Sequence, residues 1–183
     1  EHSSILQKGA SAWNKWREKN PEVVPDLSGA HFDKSNLRRV DFARAHLDRA
    51  CLAMSNLAEG KFHEASLLHA NLGGSNFQKA EFDSAALSFA DLGKSNLTGA
   101  SLRGARLRGA NLSGSNLCGA QLCGLDLRGA NLRDSILVRA DLSMADLDSA
   151  DLGGADLSEA QLVGTDLTIA HLSNANLSNA SLK

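Results

Sequence analysis

The chain has 183 residues, 43% of them hydrophobic and only 4% aromatic, with 19 Lys or Arg against 21 Asp or Glu and a net charge of −2. That is material for one small domain whose core is supplied by leucine rather than by aromatic rings. No run approaches the roughly eighteen consecutive apolar residues of a membrane span, and no secretory signal is visible, so neither a membrane protein nor an export precursor is expected.

Residues 1–24 predict a helix followed by a linker. Ile5, Gly9, Ala12, Trp13 and Trp16 fall on one face of an amphipathic helix, Ser3 or Ser4 is a candidate N-cap, and Asn20-Pro21 should end it. Both tryptophans lie here, so the helix is expected to cap the open end of the segment beyond residue 24; the alternative is a partner-binding helix. Glu1 is not an initiator Met, and the expectation is that something upstream was cut, processed or left out.

From residue 25 to 183 one pattern takes over. Every fifth residue from Leu27 to Leu182 is Leu or Phe, thirty-two positions without a skip, with Phe at 32, 42, 62, 77 and 82. Two places before each of these centres, from Ala30 to Ala180, stands a small residue: twenty-one Ala, six Ser and four others. The place just before the centre is mostly Asp or Asn, and the two after it are polar or charged. Two positions in five therefore face inward. Val40 and Leu125 are oversized for the small position and Gly60 is undersized, so local bulges are expected there.

A period of five fits neither regular element. On an α-helix five residues advance about 500°, so the apolar positions would drift around the cylinder. On a flat strand an odd period would point alternate centres into water. A chain that turns a corner every five residues keeps all centres on one axis, which is a solenoid. The number of sides is legible too. Ser recurs at 35, 55, 75, 95, 115 and 135, Asn at 36, 56, 76, 96 and 116, and Phe at 42, 62 and 82, all with period twenty. Identical residues stacked directly above one another give that interval if each coil has four sides. The prediction is an all-β solenoid of about eight coils, about 38 Å long at a spacing of about 4.8 Å.

Ala110-Asn111-Leu112-Ser113-Gly114 and Ala155-Asp156-Leu157-Ser158-Glu159 resemble the pentapeptide-repeat family, whose signature is often written A-(D/N)-L-x-x. The resemblance covers about 85% of the chain and implies a right-handed quadrilateral β-helix, a handedness that spacing does not supply. Functionally it implies either a protein-binding scaffold or, as in some members, a DNA mimic that protects a bacterial topoisomerase such as gyrase. Those members commonly carry a projecting loop, whereas here no loop interrupts the frame.

Charge is few but segregated. Residues 1–139 carry a net +4, and residues 140–182 hold seven acids and no base. Arg103, Arg106, Arg108, Arg128, Arg133 and Arg139 concentrate in the middle coils as a candidate partner surface. By the twenty-residue rule Arg106 sits below Asp126, Asp146 and Asp166, which predicts partial neutralisation of the patch. Phe89 is the one phenylalanine outside the frame, so base-stacking aromatics are lacking and nucleic acid is not the expected partner. Asp141, Asp146, Asp151 and Asp156 are the acidic counterpart of the surface. They occupy four successive sides, a girdle rather than the axial stripe that mimicry of DNA requires, and they read as turn residues bonded to nearby backbone.

Nothing in the pattern suggests catalysis. The six His are scattered, and His31 beneath Cys51 is the one vertical pairing, two ligands where a structural zinc site takes four. No cofactor, metal or catalytic residue is expected, and a tube filled by side chains has no substrate cavity. Cys51, Cys118 and Cys123 lie on three different sides and read as free thiols, pointing to a reducing, cytoplasmic compartment. The expected partner is an unidentified protein. At the other end the frame runs undiminished to Leu182, so Leu167, Leu172, Leu177 and Leu182 should floor an apolar surface. Either further chain covers it, or two rods meet there in a weak homodimer.

Overall fold

The computed structural model describes residues 2–182. Its repeating unit is a turn. In most five-residue units the small residue's N–H donates to the carbonyl of the preceding centre, as Ala30 does to Leu27 at 3.0 Å, whereas Ser35 and Ser55 N–H donate to the Ser55 and Ser75 hydroxyls of the coil above. The residue just before the small one has positive φ. Every fifth residue from Gly29 to Asn179 lies between 55° and 71°, which is what the third residue of a type II turn demands. Glycine holds this place without interruption from Gly99 to Gly129, where a left-handed φ costs it nothing, whereas Lys34, Phe89 and Ile169 adopt it against their preference.

Four such turns bring the chain back over itself. Parallel bridges pair residues twenty apart throughout, from Asp26↔His46 to Gln161↔Ser181. Leu27 N–H donates up to the His46 carbonyl, and His46 N–H donates down to the Pro25 carbonyl, both at 2.8 Å. Each side contributes one bridge pair before the next corner, so the result is a β-helix-like solenoid without long strands.

The centres and small positions fill its interior, and from Leu37 to Leu162 the centres are buried. Serine at the small position mostly bonds a carbonyl through its hydroxyl, Ser75 Oγ donating to Leu52 O at 2.8 Å and Ser115 Oγ to Leu112 O at 2.7 Å, whereas Ser95 Oγ is buried without a partner among the described residues. The asparagines stack as the period predicts, with Asn56 Nδ2 donating to Asn36 Oδ1 at 3.2 Å and Asn96 Nδ2 to Asn76 Oδ1 at 3.4 Å. Phe62 and Phe82 are stacked at 4.6 Å between centroids and 15° between planes. Phe42 tilts by 53° against Phe62, and Phe77 meets both Phe62 and Phe82 edge-on.

The expected bulges do not occur. Val40 and Leu125 are buried within an unbroken ladder, Lys61 N–H donating to Val40 O and Asp146 N–H to Leu125 O, each at 2.9 Å. Gly60 keeps the frame because its neighbour fills the gap. A Cβ there would stand 2.9 Å from the Phe62 ring and 2.9 Å from Leu57 O, so the missing methyl is compensated by the larger centre.

Residues 2–20 form two short helices, not the single one expected: α1 (His2–Leu6) and α2 (Ala10–Lys19), separated at Gly9 with φ 94°. Ser3 and Ser4 lie inside α1 rather than capping it, and α2 starts at Gly9 without a side-chain cap. The break lets α2 lie against the first coils. Trp13 is fully buried, its ring 5.7 Å from that of Phe42 and its Nε1 donating to Asp41 O at 2.7 Å. Asn14 pairs with the same edge, donating to Arg39 O at 2.8 Å and accepting from Asp41 N–H at 2.9 Å, while Arg17 donates to Val23 O and Ala43 O. Backbone groups that the first coil leaves open are satisfied in this way.

Candidate functional site

The six arginines of the middle coils divide by what they touch. Arg103 lies 3.6 Å from Asp83, Arg133 lies 3.3 Å from Asp151, and Arg139 is 2.6 Å from Glu159. Arg128 reaches Asp126 at 2.7 Å and Asp146 at 3.4 Å. The hydrogen bond from Arg128 holds the Asp126 carboxyl below its usual range. Arg106, which the column rule paired with these aspartates, makes no ion pair among the described residues; Arg128 takes its place because it reaches them from two residues along. Arg108 is also without an acid within 4.0 Å among the described residues. Arg106 and Arg108 are both exposed.

The aspartates are occupied locally. Asp141, Asp146, Asp151 and Asp156 each accept, through Oδ1, the N–H of the residue two further on, at 2.9 to 3.1 Å. For Asp151 this backbone bond, with help from Arg133, lowers the carboxyl's pKa; for Asp156 the Ser158 hydroxyl and N–H do so. These are Asx turns, and the four residues stand on four successive sides rather than in one axial stripe.

What the sequence reading set apart is Phe89. Its N–H donates to Arg108 O at 3.0 Å, and Ala86 bridges to Arg106, so Phe89 sits one coil below Arg106 and Arg108 on the same side. Its ring is 54% exposed, stacks on His69 at 5.2 Å and 10°, and lies over Gly109. Below it the side continues as a shallow groove lined by Ser28, Gly29, Asp48, Arg49, Leu68 and His69. Adjacency of Phe89 to the arginines follows from the twenty-residue rule, but only if residues 86–89 are laid over 106–109 rather than read along the chain. One side of the coil thus carries an exposed aromatic stack and two free guanidinium groups.

Nearer the N-terminus one acid is shared by two arginines. Glu59 accepts from both Arg38 and Arg39, and these bonds hold its pKa down to about 2, well below the ordinary 4.5. A depressed carboxyl pKa contributes stability above about pH 4.5 that is lost as pH falls toward about 2, but the exposed pair is screened. The readout is therefore the titration itself. Side-chain carboxyl NMR should show Glu59 titrating near 2, and Arg38→Ala with Arg39→Ala should return it to the ordinary range; a Glu59 unmoved by the double change would refute the assignment.

Leu167, Leu172 and Leu177 are half-buried and Leu182 is 60% exposed, with no described coil above them. Cys51, Cys118 and Cys123 are free thiols. No helix among the described residues is long and apolar enough to cross a membrane.

The family model described as pentapeptide repeats matches in eight copies, together spanning residues 26–183. No curated protein matches. Among solved structures, the chain is similar to HetL, a pentapeptide repeat protein involved in heterocyst differentiation regulation from the cyanobacterium Nostoc sp. strain PCC 7120, with 29% identity over 85% of this chain and 84% of that one and a TM-score of 0.42. It is similar to QnrB1, a plasmid-mediated fluoroquinolone resistance protein, with 18% identity over 87% and 90% of the two chains and a TM-score of 0.59. A third is Rfr23 from the cyanobacterium Cyanothece 51142, at 21% identity, 93% and 97% coverage and a TM-score of 0.29. At 18% identity, the likeness to QnrB1 is one of fold.

Proposed function

The chain belongs to the pentapeptide-repeat family, and on that premise we propose that it is a non-enzymatic scaffold that holds an acidic protein segment against the side bearing Phe89, Arg106 and Arg108. Members of the family are in general structural or interaction proteins rather than enzymes. The reading takes the coil as right-handed and quadrilateral, with α1 and α2 as the cap on its first coil; the buried Trp13 and its bond to Asp41 O support the cap. The observation that carries the partner is the pair of exposed guanidinium groups with no acid in ion-pair contact among the described residues, beside a ring that already has one stacking neighbour. Arginine and aromatic side chains dominate the energy of protein interfaces, and a free arginine pair binds acidic groups, which on an unmodified protein segment are carboxylates.

DNA mimicry has less support, because the aspartates of residues 141–156 are engaged in their own turns and two of them face arginine. Affinity capture with crosslinking from the native source tests the reading, comparing the unmodified chain with Arg106→Glu, Arg108→Glu and Phe89→Ser combined. A partner whose capture drops by about tenfold or more is expected, since charge reversal at contact distance costs more than about 1.4 kcal/mol. Undiminished capture overturns the assignment of the surface. Inhibition of purified gyrase in a supercoiling assay, or its protection from a poison, overturns the scaffold reading in favour of mimicry.

A further inference from the structure

A second cluster lies on a different side, near the N-terminal helices. One contact recurs along this solenoid: a residue just after a centre touches the residue eighteen further on, in the coil above. Asp48 accepts the Ser66 hydroxyl there, and Asp83 accepts that of Ser101. At Asp33 the same place is taken by Cys51. His31, bridged directly to Cys51 from one coil below, completes the group, and a ring nitrogen, a carboxylate oxygen and Sγ all lie within 4.8 Å of one another.

The fold also fixes the carboxylate. In most units the N–H two residues past an Asp or Asn is taken by that residue's own side chain, as Ala58 N–H is by Asn56. Cys51 cannot do this, and Ala53 N–H donates down to Asp33 Oδ1 at 2.9 Å instead. Asp33 is thereby aimed at Cys51, with its second oxygen free. A thiol is a weaker donor than the serine hydroxyls of the equivalent contacts, so hydrogen bonding gives this trio little.

We infer that His31, Asp33 and Cys51 form a binding site for a zinc-class divalent cation. Sulfur and imidazole select a borderline-soft ion over calcium or magnesium, and three protein ligands leave a fourth position for water. Coordination converts the Cys51 thiol to a thiolate, its proton passing to solvent. In the sequence only His31 and Cys51 share a column, and Asp33 stands off it, so the third ligand is not legible from the twenty-residue period. The ion would tie the first coil to the second next to a groove that Gln7 and Gly9 of the helical segment also line.

Titration of the full chain with Co2+ as a spectroscopic probe, then with Zn2+, tests the site. One equivalent of Co2+ should produce a thiolate-to-cobalt charge-transfer band that Zn2+ abolishes. Cys51→Ser should remove the band, and serine fits the position, as Ser66 and Ser101 show. His31→Ala and Asp33→Asn should each weaken Zn2+ binding by at least about tenfold, the lower end of what losing even an outer-shell partner costs. Cys118→Ser with Cys123→Ser should leave the band intact. Absence of the band in the unmodified chain, its persistence in Cys51→Ser, or Zn2+ affinity unchanged in His31→Ala would each overturn the site.

Discussion

Leu112→Asp should destabilise the protein by several kcal/mol, and Ser113→Asp by only about 1 kcal/mol, the worth of one hydrogen bond. Leu112 is buried at mid-rod, with Ser115 Oγ bonded to its carbonyl and its N–H bonded to Asn131 O at 2.7 Å. A carboxylate in its place would meet the apolar side chains of the coils above and below, with no cation in reach. It would be protonated or would open the coil. Ser113, one residue along, is half-buried at the corner with its hydroxyl donating to Asn111 Oδ1 at 2.8 Å, so a carboxylate there loses one hydrogen bond but keeps its contact with water. Urea or thermal unfolding of the two variants measures the difference, and equal midpoints would contradict the inward placement of the centres.

Phe62→Ala should cost about 3 to 5 kcal/mol, because the ring is fully buried among Phe42, Phe77 and Phe82 and its removal leaves a cavity that neighbouring coils cannot collapse into. The ring also covers the space over Gly60, which supplies an internal control. Gly60→Ala alone should destabilise by about 1 to 3 kcal/mol through overpacking against the ring and the Leu57 carbonyl. In a Phe62→Leu background the ring is gone, and the same methyl should cost less. Denaturant unfolding of the four members of this cycle reads the coupling, and strict additivity would show that Gly60 is set by something other than Phe62.

The sequence made the coil legible because stacking is a one-position rule: whatever stands at residue 36 meets residue 56, and like residues repeat. It was silent where the deciding contact runs diagonally. The links of Arg133 to Asp151, Arg128 to Asp146 and Asp33 to Cys51 all span eighteen residues, and they depend on side chains leaning across the corner rather than standing in columns. Gly60 misled for a related reason, since its missing volume is returned by a residue two places on. The break between α1 and α2 escaped because residues 5–16 satisfy helical spacing as one segment. Only docking onto the first coil requires the φ of 94° at Gly9.

The bridges pair residues twenty apart along the whole coil, and the backbone bonds between coils span about the same distance. The chain is therefore modular in units of one full coil. Insertion or loss of twenty residues lengthens or shortens the rod and leaves every column above and below in register. Insertion of five preserves the buried leucines but turns everything beyond it by one side, parting Phe89 from Arg108 or His31 from Cys51. Core and surface thus obey different arithmetic: evolution can add corners without harming the fold, but only whole coils without erasing what the sides have to offer.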